Sequence, residues 1–89
     1  MYEKVKLLHK KGIIFCDLRP ENILIDADEQ IKFLDWEFAG QSGQVIADMA
    51  RRPFSSGWSH PDLIWGHHKL REEIDYYSLV RMHQSGYLL

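Results

Sequence analysis

The chain has 89 residues, 45% of them hydrophobic and 27% charged, which fits a single small globular domain and does not fit a disordered chain. Its formal net charge is −2 and it has no basic run, so the composition argues against binding to nucleic acid or to an anionic membrane surface. A single cysteine, Cys16, excludes an intramolecular disulfide, and no apolar run approaches the roughly 20 residues of a membrane helix, so we expect a cytoplasmic protein.

The first predicted element is a short helix over residues 2–10. Ring-bearing and aliphatic side chains recur at i, i+3 and i+4 spacing along one face, namely Tyr2, Val5, Leu8 and His9. Charged residues cover most of the remaining surface of this segment. Gly12 is a suitable C-terminal stop, because glycine adopts the left-handed backbone that commonly ends a helix.

Short strands are predicted next. Compact apolar runs at residues 13–15 and 23–25 each suit one strand, and the alternation of Ile31, Phe33 and Asp35 with Lys32 and Leu34 predicts a third strand over 31–35. The stretch 26–30 is polar and predicts a turn, so the second and third strands form a hairpin. Asp35 then lies at the exit of that hairpin.

The remainder of the chain is predicted as a long loop and two helical pieces. Glycine, serine and proline residues spread through 39–60 indicate a loop, with a helical turn from Val45 to Arg51. A short helix opens at Pro61 and runs towards Trp65, and residues 72–82 form a longer helix. The expected fold class is therefore α+β.

Four polar residues flank these strands with a spacing suited to phosphoryl transfer. Asp17 is followed by Asn22 five residues later and by Asp35 eighteen residues later. A carboxylate such as Asp17 can accept a hydroxyl proton, and the side-chain oxygens of Asn22 and Asp35 are hard donors of the kind that Mg²⁺ prefers. Arg19 can donate to a transferred phosphate. An isolated loop Asp is also a common cap or turn residue, so the order of strands and polar residues carries the prediction.

The run from Asp17 to Asn22 resembles the Asp-Leu-Lys-Pro-Glu-Asn catalytic loop of the protein kinase superfamily, and Asp35-Trp36-Glu37 stands where that family has Asp-Phe-Gly. The resemblance implies that Asp17 is the catalytic base and that Asn22 and Asp35 hold Mg²⁺. It also implies that Arg19 contacts the phosphates of ATP and assists catalysis, so ATP and Mg²⁺ are the expected cofactors. The Pro-Glu-Asn run favours the serine/threonine protein kinases.

The resemblance continues to about residue 83. His60-Pro61-Asp62 stands where Ala-Pro-Glu ends the kinase activation segment, and Asp75 opens a segment like the buried central helix. By that resemblance, Asp75 accepts hydrogen bonds from the catalytic loop. The implied fold is a partial protein-kinase-like large lobe that forms one partial domain over residues 1–89. Its expected parts are a helix at 1–12, the catalytic loop and metal-binding strands at 13–38, an activation-like segment at 39–62 and a helical end at 63–89.

Three departures from the kinase pattern bear on activity. Cys16 stands where many kinases have an Arg that pairs with a phosphorylated activation loop. Glu37 replaces the Gly of the metal motif, as in many small-molecule kinases of the choline and aminoglycoside type. The 89 residues contain neither the Gly-x-Gly-x-x-Gly loop nor the Val-Ala-x-Lys strand, so we expect the isolated chain to bind ATP weakly at best.

Three functions therefore stay open. The first is the catalytic core of a serine/threonine protein kinase-like protein that acts on a protein substrate. The second is a pseudokinase-like module that binds a partner chain through exposed apolar surface. The third is a fragment of a small-molecule kinase, suggested by Glu37. Most serines of the activation-like loop are interpreted as merely solvated, and modification of them is possible but unsupported: Ser42, Ser55, Ser56 and Ser59.

Overall fold

The computed structural model describes residues 1–49, 54–64 and 68–87 and has an α+β fold, as predicted. Within these ranges the elements follow the order α1 (Tyr2–Lys10), β1 (Ile13–Ile14), β2 (Ile23–Ile25), β3 (Ile31–Phe33), β4 (Gly40–Gln41) and α2 (Glu72–Gln84). Single 3₁₀ turns lie at Pro20–Asn22, Trp36–Phe38, Ile46–Asp48 and Pro61–Ile64. None of the helices in the described ranges has the length and apolarity of a membrane span.

Helix α1 matches the predicted segment and faces the core with the predicted side. Val5 and His9 are buried, whereas Tyr2 is 40% exposed and lies against the ring of Tyr76 at a centroid distance of 5.9 Å. The helix ends at the predicted glycine. Gly12 has a φ of +77°, and its N–H donates to the carbonyl of His9 at 3.0 Å, which closes the last turn.

Strand β1 is one residue shorter than the apolar run predicts, and strands β2 and β3 form the predicted antiparallel hairpin, in which β3 ends at Phe33 rather than at residue 35. Phe15 leaves the strand because its N–H donates to the carboxylate of Asp75 at 2.9 Å. In the hairpin, Ile23 pairs with Phe33, and Ile25 pairs with Ile31. A side chain rather than a neighbouring strand therefore decides where β1 ends.

The hairpin turn owes its shape to one carboxylate. Asp26 Oδ1 accepts the backbone N–H groups of Asp28 and Gln30, both at 2.9 Å. Glu29 between them has a φ of +60°, in the left-handed region that non-glycine residues seldom adopt. The two hydrogen bonds offset the cost of that conformation and fix the register of β2 against β3.

Strand β4 lies inside the segment predicted as a loop. It pairs antiparallel with β1, with Ile14 opposite Gly40. The Gly-Gln pair has no apolar alternation, so the sequence pattern could not predict a strand there. A Cβ on Gly40 would lie 2.5 Å from Cδ1 of Leu70, so only glycine fits this close approach without a shift.

The later helical predictions hold in part. The predicted turn from Val45 to Arg51 appears as the shorter 3₁₀ turn Ile46–Asp48, and Arg51 lies outside the described residues. The helix predicted to open at Pro61 is the 3₁₀ turn Pro61–Ile64, and Trp65 also lies outside the described residues.

Helix α2 is the central packing element and extends two residues past the predicted end at Met82. Leu79 and Met82 pack into a cluster with α1, Phe15 and β3, whereas Ile74 packs into a second cluster. The buried members of that second cluster are Ile14, Cys16, Ile46, Leu63, Leu70 and Ile74. Helix α2 thus contributes to both clusters. It also carries two buried polar residues, Asp75 and Ser78.

Candidate active site

The segment before Asp17 is held by a buried carboxylate on α2. Asp75 has no exposed surface; its Oδ2 accepts the N–H of Phe15 at 2.9 Å and its Oδ1 accepts the N–H of Cys16 at 2.9 Å. The Nε2 atom of His9 lies 2.8 Å from Oδ2. These contacts confirm the expectation that Asp75 accepts hydrogen bonds from this loop. They also hold Cys16 at a φ of +72°, a strained conformation that turns the chain towards Asp17.

Asp17 and Asn22 form a directly hydrogen-bonded pair. The Nδ2 group of Asn22 donates to the carboxylate of Asp17 at 2.8 Å and to the backbone carbonyl of Asp17 at 2.9 Å. Both residues are buried, with 4% and 2% of their surfaces exposed. The intervening Pro20–Asn22 turn supplies the tight reversal, because proline fixes the first helical position. The two donated bonds fix the orientation of the amide, with its NH₂ group turned towards Asp17.

Ser55 is a site residue that the sequence interpretation missed. Its hydroxyl donates to Oδ1 of Asp17 at 3.3 Å and accepts from the guanidinium of Arg19 at 3.2 Å. The hydroxyl therefore bridges Asp17, which lies 38 positions earlier in the chain, and Arg19, which lies 36 positions earlier. Ser55 is therefore an exception to the interpretation of most loop serines as solvated, and a lone serine in a Gly/Ser-rich loop has no sequence pattern that would distinguish it. Arg19 also lies 3.4 Å from Glu21.

The turn that presents Ser55 is anchored on α2. Ser59 is buried, and its hydroxyl accepts the N–H of Ser55 at 2.9 Å, so Ser59 is a second exception to the solvated interpretation. Ser78 donates to the carbonyl of Trp58 at 2.6 Å, and Arg81 donates to the carbonyl of Gly57 at 3.0 Å. One helix thus positions both the loop before Asp17 and the hydroxyl that meets it.

Asp35 lies at the exit of the β2–β3 hairpin, as predicted. It has a φ of +60° and a ψ of +66°, and it is exposed. The N–H of Leu34, the residue before Asp35, donates to the carbonyl of Asn22 at 2.8 Å, which joins the end of the hairpin to the Pro20–Asn22 turn. Across the described part of the chain, no group of three or more His, Cys, Asp and Glu side chains is placed to hold a metal ion.

Cys16, beside Asp17, is not suited to nucleophilic chemistry. It is 1% exposed, and burial, reinforced by the carboxylates of Asp75 and Asp17, raises the pKa of its thiol far above the usual range. The thiol is therefore neutral at physiological pH, and a neutral thiol is a poor nucleophile. Cys16 acts as a small apolar residue of the core.

A charged cluster ties the end of the activation-like segment to the start of α2. Arg71 forms an ion pair with Asp62, and the imidazoles of His60 and His68 lie 3.7 Å and 3.6 Å from the same carboxylate. Burial opposes ionisation of Asp62, but the hydrogen bond from Arg71 and the nearby cationic groups outweigh it and lower the pKa of Asp62. Burial lowers the pKa of His60, whose Nδ1 accepts the N–H of Asp62 at 3.0 Å.

Comparison with known proteins gives a consistent picture. The model of the family described as protein kinase domain matches residues 1–83. Cyclin-dependent kinase D-1 of Oryza sativa subsp. indica is 28% identical over 75 residues, which are 84% of this chain and 18% of that protein. The serine/threonine-protein kinase RUNKEL of Arabidopsis thaliana is 53% identical over 49 residues, which are 55% of this chain and 3% of that protein. A third similar protein, cGMP-dependent protein kinase 2 of Rattus norvegicus, is 46% identical over 41 residues, or 46% of this chain and 5% of that protein.

Proposed function

The chain belongs to the protein kinase domain family, and we propose that its residues 1–89 form part of the large lobe of such a domain, as one partial unit. The chain spans less than a fifth of the length of each of the three relatives described above. Two features support the assignment to the large lobe. The elements follow the order helix, catalytic-like loop and hairpin, and α2 packs at the centre of the fold. The proposed parts are the helix at 1–12, the catalytic and metal-binding region at 13–38, the activation-like segment at 39–62 and the helical end at 63–89.

We propose that this unit is built for phosphoryl transfer from ATP to a serine or threonine hydroxyl. The observation that carries the proposal is the hydroxyl of Ser55 hydrogen-bonded to Oδ1 of Asp17. A carboxylate that already accepts one hydroxyl hydrogen bond has the chemistry to orient a substrate hydroxyl and to take its proton. Similarity to serine/threonine-protein kinases such as RUNKEL supports a protein acceptor.

In the proposed reaction, a bond forms between the substrate oxygen and the terminal phosphorus of ATP while the bond from that phosphorus to the departing ADP oxygen breaks. Asp17 accepts the hydroxyl proton, and the amide of Asn22 holds that carboxylate in place. Arg19 shares the Ser55 hydroxyl with Asp17, so its guanidinium lies close enough to the base to bind phosphate oxygens. Preorganised positioning and charge neutralisation are the main requirements of this chemistry.

The oxygen donors present fit Mg²⁺. Magnesium is usually held by one or two carboxylates together with phosphate oxygens and water rather than by an all-protein cage. The Asn22 oxygen and the exposed carboxylate of Asp35 would provide that small donor set; Asp35 directly follows Leu34, whose N–H donates to the carbonyl of Asn22. Bound Mg²⁺ would neutralise charge on the phosphates.

The isolated chain is proposed to bind Mg²⁺·ATP weakly, with transfer weak or absent. Its 89 residues contain no glycine-rich loop and no Val-Ala-x-Lys strand to cover the phosphates. A pseudokinase-like binding role is the second candidate, since several large apolar side chains are exposed. We also keep a cytoplasmic location as a proposal, because the one cysteine is buried and unpaired.

Calorimetric titration of the chain with ATP, with and without Mg²⁺, tests the nucleotide site. We expect a weak, Mg²⁺-dependent heat signal at millimolar ATP that Asp35→Ala removes. Asp28→Ala, an exposed Asp of the hairpin turn, is the matched control and should keep the signal. No Mg²⁺-dependent signal, or equal signals from both variants, would reject the proposal. Adding choline or an aminoglycoside to the Mg²⁺·ATP complex should change nothing; a saturable effect would favour a small-molecule kinase instead.

A further inference from the structure

His60 caps the Pro61–Ile64 turn with a side chain that can take up a proton. Its carbonyl accepts the N–H of Leu63 at 3.1 Å, and its Nδ1 accepts the N–H of Asp62 at 3.0 Å. The residue that caps a helical turn commonly accepts this second N–H with a side-chain oxygen of Ser, Thr, Asn or Asp. An imidazole accepts it only while neutral, because both ring nitrogens of the cation carry a hydrogen. This cap therefore exists in one protonation state only.

The His60 ring lies against helix α2 in its neutral state. The side chain is 19% exposed, and its ring packs edge-on against Tyr77 with centroids 5.0 Å apart. Tyr76 lies on the same side of α2 and lines a cavity together with His60 and Tyr77. Burial lowers the pKa of His60 more than the nearby carboxylate of Asp62 raises it. The imidazole is therefore a neutral acceptor at pH 7 and is lost as an acceptor in more acidic solution.

The charged groups that face His60 come from its own turn and from the chain that leads into α2. The Asp62 carboxylate lies 3.7 Å from Nδ1 of His60 and also contacts Arg71 and His68. Glu73 lies 3.3 Å from Arg71. Asp62 and Glu73 attract an imidazolium at His60, whereas Arg71 and a protonated His68 repel it. When both imidazoles are protonated, three cations share two carboxylates, so the carboxylates cannot pair with each cation one to one.

The capped turn is joined directly to the turn that meets Asp17. His60 follows Ser59, whose buried hydroxyl accepts the N–H of Ser55 at 2.9 Å. The hydroxyl of Ser55 donates in turn to Asp17 at 3.3 Å. Loss of the cap frees the chain immediately after Ser59, so it weakens the anchor that holds Ser55 in place.

We propose that His60 is a pH-sensitive cap: a proton on its imidazole opens the Pro61–Ile64 turn and, through Ser59, loosens the contact between Ser55 and Asp17. Because the pKa of His60 is lower in the folded chain than in the unfolded chain, the cap stabilises the fold fully above the usual pKa of about 6.5. That stabilisation is lost as the pH falls through the folded value. The device needs neither ATP nor Mg²⁺, so it can fail while the proposed phosphoryl transfer stands, and the reverse.

Two measurements on the whole chain, without nucleotide or metal, test the proposal between about pH 7.5 and about pH 5. Nuclear magnetic resonance of the imidazole nitrogens follows the protonation of His60. Amide hydrogen exchange, corrected at each pH for the intrinsic exchange rate, follows the turn. We expect protonation of His60 to coincide with an about fivefold loss of protection at the N–H groups of Asp62 and Ser55. Protection in the β2–β3 hairpin should change by less than about twofold.

The key variant is His60→Asn, because an Asn oxygen caps a helical turn and does not titrate. It should keep the protection of Asp62 and Ser55 at both ends of the pH range. His60→Ala should lose that protection about fivefold at both ends. His83→Gln is the matched control: it removes an exposed histidine of α2, distant in sequence from the turn, and should keep the pH response. Circular dichroism checks that all three variants fold.

A His60 imidazole that stays neutral at about pH 5, or protection that does not change when it takes up a proton, would overturn the proposal. Loss of protection at Asp62 alone, with Ser55 unchanged, would make His60 a local cap with no effect on the contact with Asp17, and would likewise overturn it. An unaltered pH response in His60→Asn would assign the response to other groups and would also reject the device.

Discussion

Replacing Asp75 by Asn is the sharpest test of how this fold holds its site. Three donors converge on the Asp75 carboxylate: the N–H groups of Phe15 and Cys16, and Nε2 of His9. An amide of the same shape has one oxygen and one NH₂ group. Whichever way the amide turns, its NH₂ group faces at least one backbone N–H that a carboxylate oxygen accepted before.

The expected cost follows from these contacts. Leaving one buried N–H without an acceptor costs about 1–3 kcal/mol, and hydrogen bonds to a charged acceptor contribute about 1.5–3 kcal/mol each. We therefore expect Asp75→Asn to lower the free energy of unfolding by about 2–5 kcal/mol. A chain of this size has a total stability of roughly 5–13 kcal/mol, so the loss is a large fraction of it.

Urea unfolding followed by circular dichroism measures the loss, and amide hydrogen exchange locates it. Exchange at Phe15 or at Cys16, whichever amide faces the new NH₂ group, should accelerate more than exchange in the β2–β3 hairpin, because only that amide loses its acceptor. Glu72→Gln, an exposed acid in the first turn of α2, is the control and should cost less than about 1 kcal/mol. A cost below about 1 kcal/mol for Asp75→Asn, with unchanged exchange at both amides, would refute the reasoning.

Three further predictions concern the parts around the site. Gly40→Ala should lower the free energy of unfolding by about 1–3 kcal/mol in urea, because the new methyl meets the buried Leu70 side chain; an unchanged urea midpoint would contradict this. The folded-state pKa of Asp62 is depressed, so its stabilisation is full above the unfolded pKa and is lost as pH falls through the folded value. Arg71→Gln should therefore reduce the stability lost between about pH 6 and about pH 3 in paired urea titrations, and an equal loss would count against the ion pair. The Cys16 thiol should react with a disulfide reagent only after unfolding; rapid labelling of the native chain would show that it is accessible.

The local chemistry of the site could be read from residue order. The Pro20 turn places Asn22 against Asp17, and the Asp26 carboxylate closes the turn of the hairpin that ends at Asp35. Both arrangements depend on contacts between residues within about ten positions of one another in the chain. Ser55 could not be found in this way. Its hydroxyl reaches Asp17 across 38 positions, through a turn that Ser78 and Arg81 of α2 hold in place.

What the sequence determined by itself is therefore most of the helices and strands and the chemical character of the catalytic-like loop at residues 17–22. Periodicity and turn residues are local signals, so they predicted α1, the β2–β3 hairpin, α2 and the positions of the polar residues. Only the tertiary structure decided that Gly40 pairs with Ile14, that Ser55 meets Asp17, and that His60 packs against Tyr77. These depend on which surfaces pack together around α2, and long-range packing leaves no periodic trace in the chain.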